Sequence, residues 1–472
     1  MPARLTGSAL VRAAMRAGAK EDPVFWTSVA QRTRELLPQL APAEISALSF
    51  SLARAGRTEL LPDLASSAIP VLTLMTIGDL SHLLAGFGRA EVRNDLLFDL
   101  AAREVGRQIH KASLADLANI ALAFSKLNYH HPLLFEVITK RVVLIAPNTT
   151  DVKSIAVLAK TAVLDHPKMA AVLAAEICRR IDQFPAASLA AIASGYAKVR
   201  NVFLMEVLLD ESFHRRHEFG PSGIAQLVDA VVHQPKAGLL VDFFVSDLSK
   251  RGLKNFDLHS LATFLSGVAA HYESADGTAT LTTLFQMAGD RVAAAADQLN
   301  PQSIAKLAKA FASVGVRHGP LLFNLPLHVQ AAVGEFSLSE LATVMRAYAQ
   351  LGIRNDTLLA VVPSRCLALL AESPKLLDSS SGSDTEIFAI STNLHSPPSL
   401  QVAAMVDLVE AYAMLLVSET PLLESLVERI EINRHLLTPG QIEKTIPNSL
   451  QMLGIPLPHQ LLHAHLTLIS AK

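Results

Sequence analysis

The residues best equipped for chemistry in this chain are its close-set histidines and two cysteines. His130 and His131 are adjacent, His214 and His217 flank two arginines in HRRH, and His463 and His465 stand two apart in LLHAHL. Paired imidazoles could ligate a metal or serve as a general base. Ligands on one helix face must lie three or four residues apart, so His463 and His465 point to different faces. His130 and His131 fall in a turn between two helical stretches and read as solvated turn residues. HRRH reads as a basic loop cluster that could meet phosphate or an acidic protein. Cys178 and Cys366 are the only cysteines, too few for a disulfide framework or a thiolate metal site, and they suit a reducing interior. No phosphate-cradling glycine loop, nucleophile elbow or metalloprotease motif occurs, and the acidic residues are scattered singly. The expectation is a non-enzymatic chain with no cofactor, no metal and no small-molecule substrate.

The elements that carry these residues recur. Taking the first apolar residue of each helical stretch as an anchor gives Ile45, Leu80, Leu117, Ile155, Leu189, Ile224, Leu261, Ile304 and Leu341. Successive anchors lie 35, 37, 38, 34, 35, 37, 43 and 37 residues apart. So narrow a period is the mark of a repeat array. Apolar residues recur three, seven and ten positions after each anchor, which is one helix face, and a second helix of about a dozen residues follows. Each unit is then a helical hairpin that buries its stripe only by stacking on its neighbours. Thr76, Ser113, Thr150, Ser188, Ser222, Asp257, Ser303 and Ser337 stand where helix N-caps belong.

Half the 472 residues are hydrophobic but only 5% are aromatic, which favours helices packed through small and branched side chains. The expected fold is all-α: a right-handed α-solenoid of about ten or eleven stacked hairpins with a period near 37 residues. Residues 1–39 form a basic segment, readable as a mitochondrial-type presequence or as an exposed first helix that caps the array. Arg4, Arg12, Arg16 and Lys20 precede its first acid, Glu21. Residues 40–371 hold the array, 372–400 a Ser/Pro-rich insertion or linker, and 401–472 degenerate repeats and a cap, resuming at Met405 and again near Ile442. No run of about 18 apolar residues occurs, so no membrane span is expected.

Two positions decide what the array could bind. Position seven holds Leu52, Phe87, Phe124, Ala162, Tyr196, Val231, Val268, Phe311, Tyr348 and Tyr412. Aromatics there could stack bases, but Leu, Ala and Val occupy it too, so it reads as a core knob. Position nine holds Arg54, Arg89, Lys126, Leu164, Lys198 and His233, then Ala270, Ser313, Gln350 and Met414. Aligned along a stack, the basic members make a broken stripe that a phosphate backbone would match. The competing reading is a cation at a helix C-terminus, which would predict bases in every unit rather than a row fading after the sixth. A second basic row in the turns includes Arg57, Arg93, His130, Lys168, Arg200, Arg317 and Arg354, where compensation of helix ends is the better account. The net charge is −2, yet residues 1–200 carry 23 Lys/Arg against 17 Asp/Glu and residues 201–472 carry 18 against 26. An anionic partner should prefer the first half.

The units LANIALAFSKLNYHHPLLFEV, IAKLAKAFASVGVRHGPLLFNL and LATVMRAYAQLGIRNDTLL resemble the heptatricopeptide repeats of organellar proteins and their octotricopeptide relatives. A Leu-Ala-x-Ile/Val opening, an Ala-Phe/Tyr-Ala/Ser core, a Leu-Gly-like turn and a Leu-Leu-Phe second helix carry the resemblance. It covers residues 40–360 well and 400–456 weakly. It implies a mitochondrial protein acting on RNA, as a maturation or stability factor or as a mitochondrial ribosome subunit holding rRNA among other proteins. Many relatives carry a RAP domain; the residues after Ile455, PLPHQLLHAHLTLISAK, are too few for one, so its nuclease-like activity is not implied. A purely protein-binding scaffold, such as an accessory subunit of another mitochondrial complex, is the alternative.

Overall fold

The protein is described by a computed structural model covering residues 6–17, 23–164, 166–199, 201–272, 279–372, 398–418 and 420–470. The described residues form twenty-four α-helices and no strand. The chain divides into two compact units, residues 1–223 and 224–472.

The first unit begins with α1 (Gly7–Arg16), α2 (Pro23–Leu36), α3 (Pro42–Arg54) and α4 (Leu61–Ala68). It continues with α5 (Ile77–Ala90), α6 (Asp95–Gln108), α7 (Leu114–Lys126) and α8 (Pro132–Ile145). Then come α9 (Val152–Thr161), α10 (Pro167–Arg179), α11 (Ala186–Tyr196) and α12 (Val202–His214). The division falls inside α13 (Pro221–Val231). The second unit holds α14 (Gly238–Arg251), α15 (Leu258–Tyr272), α16 (Ala279–Ala293), α17 (Pro301–Val314) and α18 (Gly319–Ala331). It ends with α19 (Leu338–Gln350), α20 (Asp356–Glu372), α21 (Pro398–Met414), α22 (Thr420–Ile432), α23 (Ile446–Leu453) and α24 (His459–Ser470).

Odd helices stack on odd and even on even within each unit, as in α5 on α7 and α6 on α8, or α17 on α19 and α16 on α18. This is the expected array of stacked hairpins. Every anchor from Ile45 to Leu341 is at most 4% exposed, and position seven is equally buried from Leu52 to Tyr412. The aromatics there are core knobs: Phe124 meets Phe98 edge-on at 5.0 Å and Phe311 meets Phe285 at 5.1 Å. Tyr196 and Tyr348 also donate to carbonyls of the preceding even helix, at Ala170 (2.6 Å) and Leu322 (2.8 Å).

Between those knobs the odd helices touch backbone to backbone. Position six holds Ser51, Gly86, Ala123, Thr161, Gly195, Ala230, Gly267, Ala310, Ala347 and Ala411. A Cβ on Gly195 would lie 2.0 Å from the Ala159 carbonyl oxygen, and one on Gly86 2.9 Å from the Ser49 carbonyl carbon. At position eight, a Cβ on Gly88 would lie 2.6 Å from the Ala123 Cα.

Six of the turns between paired helices close by a shared device. The residue eleven after the anchor takes positive φ at Gly56, Glu91, Asn128, Gly315, Gly352 and Leu416. The next amide then donates to the carbonyl of position seven, as in Arg57 to Leu52 (2.9 Å), Tyr129 to Phe124 (2.9 Å) and Ile353 to Tyr348 (2.9 Å). The following even helix is capped by Asn94, His131, Asn201, His318 or Asn355, each accepting from the amide three residues on. His131 is thus a cap through Nδ1 rather than a merely solvated turn residue.

Some local expectations shift. Thr76, Ser113, Asp257 and Ser337 cap as expected. Asp151 and Asn300 take the role expected of Thr150 and Ser303, and Ser188 and Ser222 lie inside α11 and α13. A π-helical turn at Gln441–Thr445 runs into α23. It takes in an extra residue, so Ile446 and Leu450 are buried while Ile442, the expected anchor, is only half-buried. The 372–400 insertion lies almost wholly outside the described residues. Even so, α19 and α21 pack as successive odd helices, tied by Arg346 to Asp407 (2.5 Å) and Glu410 (2.9 Å). At the N-terminus, α1 packs on α3 with Leu10 and Ala14 fully buried.

Gly195→Ala should destabilise the first unit by about 2–3 kcal/mol, because no backbone can yield to the new methyl. Gly106→Ala, on a helix face with nothing within 4 Å of the added carbon, should stabilise by about 0.5–1 kcal/mol. Urea midpoints of the two variants check the pair. Leu416→Gly, relieving a left-handed non-glycine residue, should stabilise by about 0.5 kcal/mol net of unfolded-state entropy.

Candidate nucleic-acid interface

The position-nine row sits at the C-terminal ends of the odd helices, where the paired helices turn: Arg54, Arg89 and Lys126 lie in the last turn, and Leu164, Lys198 and His233 just beyond it. Its members differ in what they do. Arg54 is half-buried, and its Nη2 donates to the carbonyls of Met15 (2.8 Å) and Ala17 (2.6 Å), the unsatisfied C-terminal end of α1. Lys126 is exposed and lies 3.4 Å from Glu91, the left-handed residue closing the preceding turn. Arg89 and Lys198 are exposed and form no ion pair among the described residues. Leu164 interrupts the row and is 55% exposed. His233 is exposed but belongs to the second unit.

The turn row is likewise mixed. Arg57 donates to the Pro23 carbonyl (3.2 Å) at the start of α2. Arg93 pairs with Asp95 (2.6 Å) and lies over the Tyr129 ring at 5.2 Å. Tyr129 donates to Asp99 (2.7 Å), and burial first, then that carboxylate, pushes its pKa up, so it stays a donor. Lys168 and His130 are exposed. Arg317 donates to the Leu351 carbonyl, and Arg354 lies 3.8 Å from Asp356. Arg200, expected in this row, lies outside the described residues, as do Arg4 and Lys20.

A third set of cations was not singled out by sequence pattern. Late in the even helices, long donors reach back to the carbonyl just before their own odd helix. Gln108 meets Met75 (2.9 Å), Arg141 meets Ala112 (3.3 Å) and Arg215 meets Phe184 (2.9 Å). Arg180 reaches Thr149 and Arg291 reaches Phe256 in the same way, and Arg365 reaches Gly334 (2.7 Å). These residues close six of the hairpins at the edge away from the turn. HRRH is part of this set: Arg215 also pairs with Glu218 (2.6 Å), and Arg216 lies over Phe213 at 4.7 Å. A signal for the set was present in the recurrence of Arg or Gln before each connection, but at no fixed distance from the anchor.

What remains outward on the turn edge of the first unit is Arg89, Lys126, Lys168 and Lys198, beside the N-termini of α6, α8, α10 and α12. Cations next to the positive ends of helices favour an anion. Among the described residues no cluster of His, Cys, Asp or Glu could hold a metal ion, and no described helix is long and apolar enough to cross a membrane.

No protein-family model matches the chain, and no curated protein matches it. Among known structures, it is similar to a homology model of the full-length AP-3 complex in an intermediate open conformation (12% identity, 98% of this chain and 89% of that one, TM-score 0.30). It is also similar to the pentatricopeptide repeat protein PPR10 from maize (13% identity, 99% and 83% covered, TM-score 0.26). The same is true of PPR10 in complex with an 18-nt psaJ RNA element (12% identity, 98% and 84% covered, TM-score 0.25). The fold class, an all-α helical repeat, rests on this chain's own helices.

Arg54→Met should release the C-terminal end of α1. The expected loss is about 1–2 kcal/mol, confined to the first hairpins. Amide exchange in residues 7–16 should speed up while that of α7 is unchanged; equal protection in α1 would show that Arg54 does not hold it.

Proposed function

We propose that this chain is a non-catalytic helical-repeat protein of the heptatricopeptide/octotricopeptide kind that binds and braces RNA and neighbouring proteins in a mitochondrial ribonucleoprotein. The assembly we favour is the mitochondrial ribosome, with rRNA as the nucleic acid. The observation that carries the RNA reading is the set of exposed, aligned cations Arg89, Lys126 and Lys198 on three of four successive hairpins, interrupted by Leu164, in the half with excess positive charge. Lys168 adds a fourth from the turn row. A single strand tracking that edge would meet a cation at most hairpins, with phosphate contacts setting register rather than base identity.

A second reading, a protein-binding scaffold in another mitochondrial complex, draws on a different fact. Arg54, Arg57, Arg141, Arg180 and Arg215 all donate to the chain's own carbonyls, so the formal surplus of residues 1–200 overstates the charge free to meet an anion. An RNA stability or processing factor is a third possibility within the first reading's chemistry.

Single-stranded RNA affinity measured across a salt series separates them. With Arg89, Lys126 and Lys198 changed together to Glu, binding should weaken at least about tenfold, and the slope of log K against log salt should fall by about 2. Unchanged affinity and slope in that variant would sink the RNA reading.

A further inference from the structure

The even helices of the first unit share one further feature at the turn edge. The second residue of each, counted from the caps Asn94, His131, His166 and Asn201, is Leu96, Leu133, Lys168 and Phe203. Leu96 is 59% exposed, Leu133 73% and Phe203 69%, although the next position on each helix, Leu97, Leu134 or Leu204, is buried. Scattered exposed leucines are ordinary. Three large apolar residues at one register of stacked helices form a row, and rows of this kind mark partner surfaces.

We propose that this row docks an acidic amphipathic helix of a partner protein. The geometry sets the spacing. Packed helices lie about 8–10 Å apart, and a helix lying across them rises 1.5 Å per residue, so one hairpin corresponds to about five to seven residues, of which a repeat of seven keeps the contacts on one helix face. Helices α6, α8, α10 and α12 pack in succession. The partner would therefore present apolar residues at about positions 1, 8 and 22, and an acid at about 15 opposite Lys168.

Charge settles the sign of the flanks. Three acids on this edge already lie in ion pairs, Glu91 with Lys126, Asp95 with Arg93 and Glu136 with Lys140, and Asp99 accepts a hydrogen bond from the neutral Tyr129. Arg89, Lys168 and Lys198 form no ion pair among the described residues, and four helix N-termini open onto the same edge. An acidic partner gains from all of these, and a basic one meets repulsion. Two of the three row residues, Leu96 and Leu133, have no ring on which a base could stack, which favours a helix's apolar stripe over a base platform built from aromatic faces.

The inference rests on the bracing role proposed above, and the two fail separately. The full-length protein is titrated with a fluorescent 24-residue helical peptide, leucine at positions 1, 8 and 22 and glutamate at 15 and along its flanks, and with a twin carrying lysine for every glutamate. The acidic peptide should bind and the basic twin bind at least about tenfold more weakly. Changing Leu96→Ser, Leu133→Ser and Phe203→Ser together should weaken the acidic peptide at least about tenfold, with an unchanged melting temperature and unchanged RNA affinity. The proposal is overturned if the acidic peptide does not bind, if the twins bind equally, or if the triple variant keeps its peptide affinity. It is also overturned if that variant loses RNA instead, which would make the row a base platform. In the variant with Arg89, Lys126 and Lys198 changed to Glu, RNA affinity tests the function alone, and an acidic peptide that keeps its full affinity there overturns the proposal.

Discussion

The contact on which the rest of the structure depends is the approach of one odd helix to the next through position six. At Gly195 the neighbouring backbone comes so near that even a methyl has no room, and at the other units Ala, Ser or Thr is the largest residue admitted. Close approach removes water from both helix faces and lets position seven act as a knob filling the space between odd and even layers. Small residues at six and large ones at seven are therefore one constraint. A side chain enlarged at six moves every knob that depends on that separation, which explains why aromatic, branched and small residues interchange at seven but bulk never appears at six.

Stacking alone leaves the ends of forty-odd helix termini with unsatisfied carbonyls and amides, and the chain answers differently at its two edges. At the turn edge the answer is local: a left-handed residue, a 6→1 hydrogen bond to position seven and an Asn or His cap. At the opposite edge it is longer in range, with Arg141, Arg180, Arg215, Arg291 and Arg365 reaching across their own hairpins to the carbonyl before the odd helix. Hydrogen bonds from a guanidinium are among the stronger kinds, and planar forks suit carbonyls that lie side by side. Arginine is accordingly a structural residue here, and counts of positive charge measure fastening as much as they measure affinity for anions.

The stacked hairpins were legible because burial imposes a strict period. Anchors, knobs and turns repeat at fixed offsets, so Ile45 through Leu341 and Leu52 through Tyr348 fall where the pattern places them. Features without a fixed offset were not legible. Gln108, Arg141, Arg180 and Arg215 stand at different distances from their anchors because even helices and the 3-10 turns after them vary in length. The last odd helix hid for a similar reason, its π-helical turn shifting the burial pattern to Ile446. Within the candidate site, exposure of Arg89 and Lys198 agrees with their place in the row, whereas Arg54 has the same offset and a different environment: α1 ends beside it. Offset fixes where a side chain starts, and the neighbouring helix end decides what it reaches.

These two edges imply an asymmetry that bears on any partner. An array whose far edge is closed by its own arginines offers that edge few free donors, since the guanidinium groups are already engaged with carbonyls. Apart from Arg54, Arg57 and Arg317, the turn edge satisfies its backbone without long side chains, because its caps are short and its left-handed closures need none. Its cations and its apolar first-turn residues are left outward in consequence: Arg89, Lys126 and Lys198 just before the starts of the even helices, and Leu96, Leu133, Lys168 and Phe203 in their first turns. Whichever macromolecule the first unit holds, the division of capping labour between the two edges directs it to the turns. There the same period that stacks the hairpins sets the spacing at which a partner must repeat its own contacts.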